Sequence, residues 1–104
     1  MKSVLRGSLL AAGLIVTGAA SAADANMELA QKSGCLACHA VDKKLVGPSY
    51  KDIAGKYKGV NGAEAALAQK VLKGGSGVWG QIPMPPNNVT EPQAQQLVKW
   101  ILTQ

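Results

Sequence analysis

Residues 35–39 read CLACH and bring two thiols and an imidazole together within five positions. Three chemistries use such a cluster: a zinc site, a thiol redox pair, and covalent attachment of a haem. A four-ligand zinc site fails by count, since the chain holds no Cys or His beyond Cys35, Cys38 and His39. A thiol oxidoreductase sets its pair in a βαβ context, and no stretch of this chain has the sustained period-two alternation of strands. In an exported chain, C-x-x-C-H reads as haem attachment. Both thiols add to vinyl groups, and the adjacent His39 is then held under the iron.

A sixth ligand must come from elsewhere. With a single histidine, bis-histidine ligation within one chain is impossible, which leaves methionine. Met1 falls in the leader described below and Met27 lies on the first predicted helix. Met84 sits in IPMPP, where Pro83, Pro85 and Pro86 restrict φ and would hold a weak thioether bond in place. Neutral sulfur opposite His39 stabilises ferrous iron and closes the last open position, which favours electron transfer over gas binding.

Export itself is read from the N-terminus. Basic Lys2 and Arg6, an apolar run over residues 9–16 and the small residues Ala20, Ser21 and Ala22 form the three parts of a secretory signal. Residues 1–22 are expected to be cleaved, leaving 23–104 as a single domain in the periplasm; the apolar run is too short for comfortable membrane insertion. The remaining domain has nine Lys, no Arg and six acidic residues, a formal charge of +3. Its lysines form no long run, and export removes it from nucleic acid. A domain this small, without Phe, needs something besides side chains to fill its core.

The elements that must position these residues are helical. Residues 24–33 are helix formers with Asp24 or Asn26 as a possible N-cap, and Gly34 stops them just before the cysteines. Residues 40–48 read as a loop ending in Gly47-Pro48. Ser49 with Asp52 opens a helix through about Tyr57. Asn61 with Glu64 resembles a capping box for a helix through Lys73, closed by Gly74-Gly75. Residues 74–89, with four Gly and three Pro, form a long irregular loop that needs a functional reason. Thr90 and Gln93 cap a terminal helix carrying Ala94, Leu97, Val98 and Ile101 at helical spacing. The fold class is all-α with long loops.

CLACH, LVGPSYKDIA, GVWGQIPMPPN and the terminal helix, in this order and covering essentially residues 24–104, resemble the small bacterial class I cytochromes c of the c-551 type. The resemblance implies four to five short helices wrapped around one covalently bound haem c, with one haem edge open to solvent. It assigns Cys35 and Cys38 to the thioethers, His39 and Met84 to the iron, and the carbonyl of Pro48 to the other ring N–H of His39. It also puts Asn87 against the Met84 sulfur, and Trp79 and Lys70 near the haem propionates. Lys70 stands where relatives often carry Arg and lacks that residue's forked donors. Leu29 and Trp100 would meet where the terminal helices cross.

By the same analogy Leu36, Leu45, Val46, Ile82 and Pro83 frame the exposed edge, with Lys32, Lys43 and Lys44 as a basic rim suited to brief docking. The implied function is a soluble one-electron carrier and not an enzyme; a haem peroxidase or gas-sensing domain is the alternative. The implied partners are redox proteins, such as a nitrite reductase, terminal oxidase, peroxidase or quinol-oxidising complex, and the cytochrome c maturation machinery.

Overall fold

In the computed structural model, which describes residues 21–104, four helices and one 3-10 turn follow one another without a named strand among the described residues. The expected leader over residues 1–22 lies almost wholly outside the described residues. Helix α1 is Ala22–Lys32, the 3-10 turn is Cys35–Ala37, α2 is Tyr50–Tyr57, α3 is Ala63–Lys73 and α4 is Glu91–Ile101.

The caps agree with the sequence at two helices and differ at two. Ser49 Oγ accepts from the Asp52 N–H at the start of α2. Thr90 and Gln93 form a reciprocal box, Gln93 N to Thr90 Oγ1 at 3.3 Å and Thr90 N to Gln93 Oε1 at 3.0 Å. By contrast, α1 is capped by Ser21 Oγ rather than by Asp24 or Asn26, because the helix begins upstream of both. The Asn61/Glu64 box does not form. Gly62 occupies the N-cap position with φ 78°, so α3 starts one residue too late for the Asn61 side chain to cap it.

Helix α4 is the central packing element and touches α1, α2 and α3. One of its faces sends Leu97, Trp100 and Ile101 into a cluster with Ala30 and Tyr50, against which Met27, Leu29, Cys35 and Leu36 pack. Leu29 packs against the cluster that contains Trp100, and Gln96 donates to Asn26 Oδ1 at 2.9 Å between the terminal helices. The adjoining part of the same apolar face sends Ala94 and Val98 into a second cluster with Ala68 and Val71, joined by Leu67 and Met84. The hydrophobic core is therefore in two parts.

Candidate functional site

The two halves of the core are parted by a cavity of about 560 Å³ whose walls come from both: Tyr50, Leu97 and Ile101 from the first, Val71, Val98 and Met84 from the second. This volume is in the range of pockets that hold sizeable organic ligands, roughly 300–1,000 Å³. Cys35, Cys38, His39 and Met84 all line it, although Met84 is separated from the others by two helices. Met27 packs against the first cluster and does not line the cavity.

The attachment turn is built by main-chain bonds. His39 N donates to Cys35 O at 3.0 Å, so the imidazole rises one turn after the first thiol. The ring is buried, 9% exposed, and its Nδ1 lies 2.7 Å from Pro48 O. A carbonyl only accepts, so Nδ1 carries the proton and Nε2 keeps its lone pair free for a metal. Gly47 N donates to Cys38 O at 2.7 Å and lies close against the ring. A Cβ at Gly47 would fall 2.6 Å from His39 Cε1, so only glycine fits there.

The thiols of Cys35 and Cys38 are free of a disulfide and half-buried. Burial pushes the Cys35 thiol above its ordinary pKa, and burial, followed by the neighbouring Cys35, pushes the Tyr50 phenol up as well.

Met84 is held through its backbone. Gly75 N donates to Met84 O at 2.9 Å and Met84 N to Gly75 O at 2.8 Å, pairing the end of α3 with the Pro-rich run. Gly74, with φ 75°, allows the approach: a Cβ there would overlap the Met84 carbonyl. Asn87 N and Nδ2 both reach Val71 O, at 3.1 and 3.0 Å, and Nδ2 also reaches Pro85 O at 3.3 Å. The Asn87 amide is thus committed to main-chain carbonyls and is not among the lining residues.

Trp79 and Lys70 line the cavity, as do Lys44, Leu45, Val46, Ile82 and Pro83. Lys70 has no ion-pair partner among the described residues, and its Nζ lies close to Gly75. Trp79 is 43% exposed, with Lys56 Nζ 5.7 Å from its ring centroid. Three expected rim residues stand apart from the lining. Leu36 is half-buried and packs against the first core cluster, Lys43 is exposed, and Lys32 pairs with Glu28 at 2.8 Å. That pairing, through its hydrogen bond and then its charge, holds the Glu28 carboxyl below its ordinary pKa. The walls Tyr50, Ile53, Tyr57, Leu67, Val71, Leu97 and Val98 escape motif reading; only the apolar spacing on α3 and α4 hints at some of them.

The donor set fits haem: two free thiols on one turn, an imidazole with one nitrogen committed and the other free, a thioether, and a mainly apolar cavity between them. Fold and site together define a small all-α haem protein of the electron-transfer class.

The family model for cytochrome c matches residues 23–104, and the chain belongs to the cytochrome c family. Over 104 residues it is 52% identical to cytochrome c-551 of Pseudomonas aeruginosa, covering 100% of this chain and 99% of that protein. Cytochrome c-552 of Nitrosomonas europaea is 50% identical over 104 residues, with 99% of this chain and 98% of that one covered. The crystal structure of wild-type Nitrosomonas europaea cytochrome c552 superposes with a TM-score of 0.72 at 55% identity, covering 74% of this chain and 96% of that chain. The protein is a monohaem class I cytochrome c that binds haem covalently and carries electrons.

Proposed function

We propose that this protein is an exported, periplasmic carrier whose haem is joined to Cys35 and Cys38 and ligated by His39 and Met84. It takes single electrons from a respiratory donor, such as a quinol-oxidising complex, and passes them to a nitrite reductase, terminal oxidase or peroxidase. The observation that carries this reading is the convergence of Cys35, Cys38, His39 and Met84 on one cavity from opposite ends of the domain's sequence. Bound haem supplies an iron that gains and loses one electron. The chain's residues determine how easily.

The Pro48 carbonyl accepting from His39 Nδ1 fixes the ring and makes Nε2 a better donor. The Met84 thioether, its backbone held by Gly75, would favour the ferrous state of a bound haem and would leave small ligands no place on it. Lys70 and Trp79 are suited to the propionates, Lys70 as a point charge and Trp79 as an indole donor. Leu45, Val46, Ile82 and Pro83 surround the mouth as an apolar contact, and Lys43 and Lys44 supply nearby positive charge.

Optical spectroscopy tests the ligand set. Ferric protein should show the near-infrared sulfur-to-iron band, and ferrous protein should bind CO poorly at neutral pH. In Met84→Ala the band should vanish, CO should bind, and the potential should fall by on the order of 100 mV, part of the roughly 0.8 V range that axial ligands command. A band that survives in Met84→Ala excludes Met84 as ligand. Prompt CO binding by the unmodified protein would favour a gas-sensing or peroxidase role.

A further inference from the structure

Tyr50 is among the most buried side chains of the described domain, 2% exposed, yet it stands at the first position of α2 and lines the haem cavity. Its ring lies on His39, with centroids 5.4 Å apart and planes 22° from parallel. Behind it, Trp100 meets the same ring nearly edge-on, at 5.5 Å and 74°. Such offset-stacked and edge-to-face geometries are the attractive ones for rings with opposed faces and edges.

The backbone leaves Tyr50 little choice of position. Tyr50 N donates to Ala40 O at 2.9 Å and Lys51 N to Val41 O at 2.9 Å, tying the start of α2 to the two residues that follow His39. Ser49 caps the helix at that point. Helix α4 supplies Trp100 as a backstop, so the Tyr50 ring is set by the start of α2 and by α4 together.

The imidazole needs such a wall. The hydrogen bond from Nδ1 to Pro48 O fixes one point of the ring and Gly47 lies over the ring at Cε1, but the hydrogen bond by itself leaves the plane free to rock about the axis through the two nitrogens. We propose that Tyr50 is a positioning residue that sets the plane of the His39 imidazole by stacking on it, with Trp100 holding Tyr50 in place. The proposal rests on the reading of His39 as an axial ligand. It adds that the ligand's orientation is dictated from α2 and α4, so the terminal helix reaches the iron through two aromatic rings.

The test uses the intact haem protein and three variants. The pattern of hyperfine-shifted haem methyl resonances in the ferric state reports the ligand planes. Tyr50→Phe keeps the stacking ring and should keep the wild-type pattern. Tyr50→Leu removes the ring and should change the pattern, while the His39 Nδ1–H exchanges with solvent roughly three- to tenfold faster, the factor that an aromatic pair energy implies. Trp100→Leu should shift the pattern in the same direction by less. A wild-type pattern in Tyr50→Leu overturns the proposal.

Should that variant fail to fold, the ferrous wild type decides. Nuclear Overhauser contacts between the Tyr50 and His39 ring protons are expected, and their absence overturns the stacking. Failure of the underlying reading has a different signature, a wild-type spectrum in which the His39 resonances carry no haem ring-current or hyperfine shift.

Discussion

The two sides of the cavity hold their candidate ligands by different means. On the attachment side, over residues 35–50, the side chains themselves are fixed: His39 by Pro48 O, by Gly47 and by Tyr50, and the two thiols by their place on one turn. On the other side, over residues 74–87, the side chain of Met84 has no polar anchor among the described residues, and the backbone on both sides of it is fixed instead. This asymmetry follows from the chemistry. An imidazole has a second nitrogen that a protein can grip, whereas a thioether is a weak acceptor with flexible torsions that only its main chain can aim. The first side is built for permanence and the second for placement.

The largest effect should come from removing the covalent side. A void of 560 Å³ at about 24 cal/mol per Å³ would cost about 13 kcal/mol, at the upper end of a small domain's whole stability. The mouth is open to water, so this figure is an upper bound. Cys35→Ala/Cys38→Ala protein prepared without haem should therefore lack cooperative thermal unfolding, as circular dichroism would show. A cooperative transition near that of the haem protein would mean that the two core clusters close without the cofactor.

The backbone side breaks at Gly74. Alanine there would meet the Met84 carbonyl and adopt φ near 75°, so Gly74→Ala should lose about 2–4 kcal/mol and weaken the near-infrared band. On the attachment side the matching substitution is Gly47→Ala. Its Cβ would strike His39 Cε1, with no positive φ to add strain, so the expected loss is smaller, about 1–3 kcal/mol. The two should also differ in kind. Gly74→Ala should perturb the sulfur band, and Gly47→Ala the His39 Nδ1–H resonance. If both disturb the same signal, the sides are not separable.

This division explains what could be read in the sequence. CLACH and IPMPP are local words: the spacing of Cys35, Cys38 and His39 and the prolines around Met84 are visible without a fold, as are the Ser49 cap and the Thr90/Gln93 box. What was not visible depends on three dimensions or on one residue's torsion. Asn61 looks like a cap, but the left-handed Gly62 moves the helix start past it. Tyr50 looks like a residue of α2, and only packing against α4 turns it toward His39. Leu36 looks like a rim residue, and its packing against the first core cluster shows only in three dimensions. Lys32 counts as a basic rim in the sequence, and Glu28 one turn earlier pairs with it.

The smallest effect concerns the mouth, where the asymmetry recurs as charge against apolar surface. The attachment side contributes Lys43 and Lys44 next to exposed Leu45 and Val46, while the Met84 side contributes Val78 and Ile82, the latter 70% exposed. Charges steer partners over a Debye length, about 10 Å at 0.1 M salt, whereas apolar contact is insensitive to such screening. Electron exchange with an acidic partner should therefore slow as salt rises. In Lys43→Gln/Lys44→Gln the low-salt rate should drop by a factor of a few and the salt slope should flatten. Ile82→Ser should lower the rate by a similar factor at every salt concentration and leave the slope unchanged. Stopped-flow rates over a salt series separate the two. Equal slopes in all three proteins would mean that Lys43 and Lys44 lie outside the docking surface and that contact is made by the apolar mouth alone.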